Sequence, residues 1–62
     1  MTIENAITAY ETATTEAEVR NAYEAMLQWS DAPEGSEEDD VDAMLNARGI
    51  PSLTRRLDSV AA

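Results

Sequence analysis

The chain has 62 residues, of which 13 are Asp or Glu and four are Arg, with no Lys, His or Cys, and its formal charge is −9. That composition excludes disulfides and the usual Cys/His zinc site, and it sets the chain against nucleic acid and anionic membranes as direct partners, because both would repel it. One domain spanning 1–62 is the most this length allows; it lies near the lower limit at which a core supports itself, which leaves efficient helix packing, a homo-oligomer or a binding partner as sources of stability.

Hydrophobic spacing is helical throughout, with no period-2 segment, so the expected fold class is all-α: a compact bundle of three to four short helices. The first segment places Ile3, Ala6, Ile7, Tyr10 and Ala13 on one face, with Thr2 as its N-cap. The second opens on Thr15-Glu16-Ala17-Glu18, a capping box in which hydroxyl and carboxylate satisfy backbone donors reciprocally. Its apolar face is Val19, Ala22, Tyr23, Met26 and Leu27, and it ends near Trp29 or Ser30. Trp29 is read as a core residue in preference to an exposed interface anchor. Thr14-Thr15 predicts a break between the two segments, since Thr favours caps over helix interiors; one continuous helix over 3–29 is the alternative.

Asp31-Ala32-Pro33-Glu34-Gly35 is a loop, marked by its Pro and Gly. Ser36 then offers a hydroxyl ahead of a run of acids, the pattern of a helix start. The third helix is expected over about 37 to 48, burying Val41, Met44 and Leu45, and closing at Arg48-Gly49 with a cation and a glycine able to turn left-handed. Pro51-Ser52 starts a short final helix with Leu53, Leu57 and Val60 on its apolar face, and residues 61 and 62 are expected to fray.

Charge is polarised along the chain: residues 1–47 carry a net −11 and residues 48–62 a net +2. Arg20 lies four residues from both Glu16 and Glu24, so helix geometry neutralises it locally. Asp31, Glu34, Glu37, Glu38, Asp39, Asp40 and Asp42 put seven acids into twelve residues with no base among them. The helix dipole stabilises acids in a first turn by about 0.3–1 kcal/mol each, which accounts for two or three of them. Glu4 and Glu11 share the outer face of the first helix, and Glu18 continues their spacing if the chain stays helical. At 1.5 Å rise per residue, seven residues span roughly 10 Å. A solvated surface is the plain reading of all these acids. A carboxylate array for a basic partner is the functional one, with the cluster over 31–42 first and Glu4, Glu11 and Glu18 second.

Other chemistry finds little footing. Paired carboxylates act as acid and base only in a cleft that perturbs them, and a bundle this small seldom offers one, so no catalytic residue and no cofactor is expected. Asp39-Asp40-Val41-Asp42 lacks the glycine and terminal Glu of an EF-hand loop, so no specific metal site is expected. Arg55 and Arg56 are adjacent and point apart on a helix; one is expected to pair with the acidic surface and hold the last helix, or to meet the acidic end of a second copy. No apolar run approaches the roughly 20 residues that span a bilayer. The opening Met-Thr-Ile-Glu-Asn has neither the basic region nor the apolar core of a signal peptide, so a cytoplasmic location is expected.

In size, charge and all-helical pattern the whole chain resembles small acidic nucleic-acid mimics carried by phages and mobile elements, the anti-CRISPR and anti-restriction inhibitors. No motif carries the resemblance, so no family residue transfers. It implies a protein-binding inhibitor that occupies the basic groove of a nucleic-acid-binding protein or complex, such as a CRISPR surveillance complex, in the host cytosol. Two other readings stand beside it. One is a halophile's helical module, whose acids meet only water and ions in a salt-rich cytosol that screens their repulsion. The other is an adaptor that binds a protein through apolar helix faces.

Overall fold

Short capping sequences cut the chain into its helices. The computed structural model describes residues 2–61 and contains α1 (Ile3–Thr12), α2 (Glu16–Trp29), α3 (Glu37–Ala47) and α4 (Leu53–Ala61). The Thr2 hydroxyl caps α1 by accepting from the Asn5 N–H at 3.3 Å. Ala13 and Thr15 both have extended backbone, which rules out a continuous helix over 3–29. The Thr15 hydroxyl accepts from the Glu18 N–H at 3.2 Å, and the Glu18 carboxylate receives the hydroxyls of Thr15 and Thr14 at 3.1 and 3.2 Å. Of the predicted capping box the hydroxyl half forms, while the Glu18 carboxylate takes two hydroxyls in place of a backbone N–H; the chain turns back on itself here, and α1 and α2 pack as a helical hairpin.

After α2 the chain turns at Pro33–Ser36, where the Ser36 N–H reaches the Pro33 carbonyl at 2.9 Å and Gly35 takes φ +92. Ser36 occupies the N-cap position of α3, but its hydroxyl makes no capping bond. The Glu37 carboxylate instead folds back onto the Gly35 N–H at 3.0 Å. The far end of α3 closes as expected: Ile50 N–H bonds Leu45 O at 2.9 Å, Gly49 N–H bonds Asn46 O at 3.1 Å, and Gly49 sits at φ +73. These two bonds and the left-handed glycine make a Schellman closure. In α4 the Arg56 N–H reaches the Ser52 carbonyl at 2.9 Å. Ala61 is its last residue, so the expected fraying does not extend to position 61; Ala62 lies outside the described residues.

The fold is the expected all-α bundle, with no strand among the described residues. Helix α2 is its hub and packs against α1, α3 and α4. The fully buried residues are Ala6, Ile7, Tyr10, Ala13, Val19, Ala22, Tyr23, Met26, Val41 and Leu45. Met44, Leu53, Leu57 and Val60 lie half-buried against them. The Cα radius of gyration is 10.8 Å, close to the roughly 10.6 Å that chain length implies for a compact domain.

Two polar contacts close the bundle. The Tyr10 ring is buried, and its hydroxyl donates to the Pro51 carbonyl at 2.8 Å. Burial pushes its phenol up to about 12, against the opposing pull of Arg56. The Arg56 guanidinium donates to the carbonyls of Ala13 at 2.7 Å, Tyr10 at 3.1 Å and Glu11 at 3.5 Å, and its carbon lies 5.9 Å from the Tyr10 ring centre. These are carbonyls that the end of α1 leaves without helical partners, and the cation also complements the negative end of the α1 dipole. Arg56 thus holds the last helix as expected, but through backbone carbonyls and not through carboxylates.

Candidate functional site

The acidic stretch is built on α3 and the turn before it. Asp40 accepts from the Ser30 hydroxyl at 2.6 Å, and Asp42 accepts from the Tyr23 hydroxyl at 3.2 Å. These two bonds tie the start of α3 to the end and middle of α2. Burial raises the Tyr23 phenol well above its ordinary value, reinforced by the charge of Asp42 and its hydrogen bond, and by the charge of Glu38. Glu37 is half-buried over its bond to Gly35. Asp31, Glu34, Glu38 and Asp39 are exposed and have no hydrogen-bond or ion-pair partner among the described residues. Successive helical residues are rotated by about 100°, so Glu37, Glu38, Asp39 and Asp40 fan around the end of α3 and do not form one row.

The second group of expected acids does not assemble. Glu4 pairs with Arg48 at 3.4 Å across an exposed gap. Glu11 is exposed, with its backbone carbonyl under Arg56. Glu18 departs from their face because the chain breaks at 13–15; its carboxylate is engaged in the capping box. The hydroxyls of Thr15 and Thr14 hold it below the usual carboxylate range. Its lowered proton affinity is therefore accounted for by the hydrogen bonds at the start of α2.

Trp29 corrects a second expectation. It is 46% exposed, the one exposed large hydrophobic side chain among the described residues. It ends α2 beside Ser30, the residue bonded to Asp40. The helical period could not place it, since a last-turn residue escapes the neighbours that would cover it.

The chain matches no protein-family model, and comparison with curated proteins and with solved structures finds no match.

The remaining cations leave the acidic stretch unneutralised. Arg20 pairs with Glu16 at 3.2 Å and not with Glu24. Arg55 is exposed, with no ion pair among the described residues. No group of three or more acids among the described residues is placed to hold a metal ion, and none of the helices is long and apolar enough to cross a membrane.

Two open grooves mark the surface. One, lined by Ala9, Thr12, Glu18, Asn21 and Ala22, runs along the hairpin, with Glu18 as its single charged lining residue. The other lies between α2 and the starts of α3 and α4, lined by Arg20, Tyr23, Glu24, Leu27, Glu38 and Leu53. Sequence reasoning missed this second groove. Glu24 reads there as a partner for Arg20, and Leu53 as a core residue of a helix whose packing angle no periodicity specifies.

Proposed function

We propose that the chain is a protein-binding inhibitor that mimics DNA and occupies the basic groove of a nucleic-acid-binding protein or complex. The observation carrying this reading is the stretch over 31–42: seven acids with no cation in ion-pair range among the described residues, four of them exposed and unpartnered there. Charge left uncompensated in this way works against the compact state. It gains a purpose if a Lys/Arg-lined groove neutralises it. Association would then be fast and salt-sensitive, and the bound inhibitor would exclude the nucleic acid by competition.

The anchored start of α3 supports a rigid array. Asp40 and Asp42 are held to α2, so the free carboxylates of Glu38 and Asp39 need little ordering on binding. Glu4, Glu11 and Glu18 contribute less, since Glu4 has a cation and Glu18 a capping role. Resemblance to phage-borne inhibitors makes a CRISPR surveillance complex, at the groove that receives duplex DNA, the specific target we favour.

The test is competitive capture. Immobilised protein is mixed with host lysate at low salt, and parallel samples are eluted by a salt gradient and by duplex DNA. A nucleic-acid-binding enzyme or complex is expected in both eluates. Changing Glu37, Glu38, Asp39 and Asp40 to Gln or Asn should abolish its capture. Partners that DNA does not displace, and that the neutralised variant still retains, would instead favour the adaptor reading, for which the exposed Trp29 is the supporting observation.

A further inference from the structure

We propose that the groove between α2 and the starts of α3 and α4 seats one lysine or arginine side chain of a partner protein. The inference deepens the reading of a basic partner, and rests on it for the partner's identity.

The groove encloses about 190 Å³. Leu27 and Leu53, both half-buried, and the Tyr23 ring give it an apolar floor. Glu24 and Glu38, both exposed, stand on its rim without an ion-pair or hydrogen-bond partner among the described residues. Arg20 also lines it, but its guanidinium is engaged by Glu16 at 3.2 Å. Asp42 does not line the groove, but it accepts from the hydroxyl of the lining Tyr23 at 3.2 Å.

An apolar floor beneath an anionic rim matches the construction of a long basic side chain, with a hydrocarbon stem and a cationic head. A neutral apolar side chain would satisfy the floor and leave the rim unpaired. An acidic one would meet like charge, and a phosphate would be repelled for the same reason. The cationic side chain is the occupant that satisfies both parts. Glu38 belongs both to this site and to the free acids at the tip of α3; the others, Asp31, Glu34 and Asp39, lie outside the groove and act through the field, whereas the groove adds contact and so gives register on the partner.

An oligo-arginine peptide is the probe, titrated at low salt into the isotopically labelled full chain and followed by NMR. The amide of Tyr23 and the methyl groups of Leu27 and Leu53 are expected to shift most. Two double variants remove equal charge from exposed positions: E24Q/E38Q at the groove and E34Q/D39N at the tip. The first should weaken peptide binding about tenfold, about 1.4 kcal/mol; the second, acting through the field alone, about twofold. Unchanged far-ultraviolet circular dichroism would establish that both variants keep the fold. Equal losses in the two variants, shifts centred on residues 31–40 or on Trp29, or no binding at all would each overturn the groove. The DNA-mimic reading fails separately, in the competition with duplex DNA, which the peptide titration does not involve.

Discussion

The α1–α2 hairpin contains eight of the fully buried residues, whereas α3 contributes Val41 and Leu45 and α4 none. Carboxylates divide in the opposite sense. In the hairpin, Glu4 and Glu16 face arginines and Glu18 accepts the Thr15 and Thr14 hydroxyls, which leaves only the scattered Glu11 and Glu24 without a partner among the described residues. Over 31–42 no acid meets a cation within ion-pair range among the described residues. The hairpin therefore holds most of the apolar burial, and the second half carries uncompensated charge on a frame tied back by a few polar bonds. A chain this short can support such a surface because the elements that stabilise it and the elements that bear the charge are largely separate.

The sharpest way to break this contrast is in the hairpin core. Met26 is fully buried on α2, and Met→Ala changes in cores cost about 2–5 kcal/mol. A domain of this length has roughly 3–9 kcal/mol of stability in total. Met26→Ala is therefore expected to remove a large share of the stability and to lower the midpoint of the thermal transition in circular dichroism by roughly 10–30 °C. A normal transition in that variant would mean that the hairpin is not where stability resides.

A smaller effect is expected where the two halves are joined. Arg56→Met keeps the apolar stem and removes the donors to the Ala13, Tyr10 and Glu11 carbonyls. Hydrogen bonds from a charged group contribute about 1.5–3 kcal/mol, so urea unfolding should show a loss of about 2 kcal/mol. Hydrogen exchange should show α4 losing protection before the hairpin does. Arg56→Lys should recover little, because one ammonium cannot reproduce the planar fork that spans three carbonyls. Full recovery by Lys would reduce the contact to simple charge at the end of a helix.

What could be read from the chain beforehand follows the range of the forces involved. The four helices, the break at Thr14-Thr15, the Thr15–Glu18 box and the Gly49 closure are local, set by residues within one or two turns, and all were expected from sequence. The role of Arg56 was half visible: an arginine anchoring the last helix was expected, but its target was not, because backbone carbonyls freed at the end of α1 leave no mark on residue type. Trp29 and the groove at Leu27 and Leu53 depend on how α3 and α4 lie on α2, and periodicity does not encode interhelical placement. The fate of Glu18 illustrates a conflict between two local signals. Its spacing from Glu4 and Glu11 assigned it to a surface row, its spacing from Thr15 assigned it to a cap, and the break decided for the cap.

The smallest effect separates the two halves at the level of a single hydroxyl. Thr15 and Ser36 both stand at N-cap positions. Thr15 accepts from the Glu18 N–H at 3.2 Å, while the Ser36 hydroxyl makes no capping bond. Thr15→Ala should cost about 1 kcal/mol, the usual value of a working cap, whereas Ser36→Ala should stay within about 0.5 kcal/mol, as for surface changes away from special contacts. Chemical denaturation of the two variants side by side resolves that difference. The reason lies in the acids themselves. The Glu37 carboxylate folds back onto the Gly35 N–H, and four acids in the first turn of α3 complement its dipole without a hydroxyl's help. If Ser36→Ala proved as costly as Thr15→Ala, the first turn of α3 would depend on its serine after all. Its acids would then be less free to face a partner than their lack of counter-ions implies.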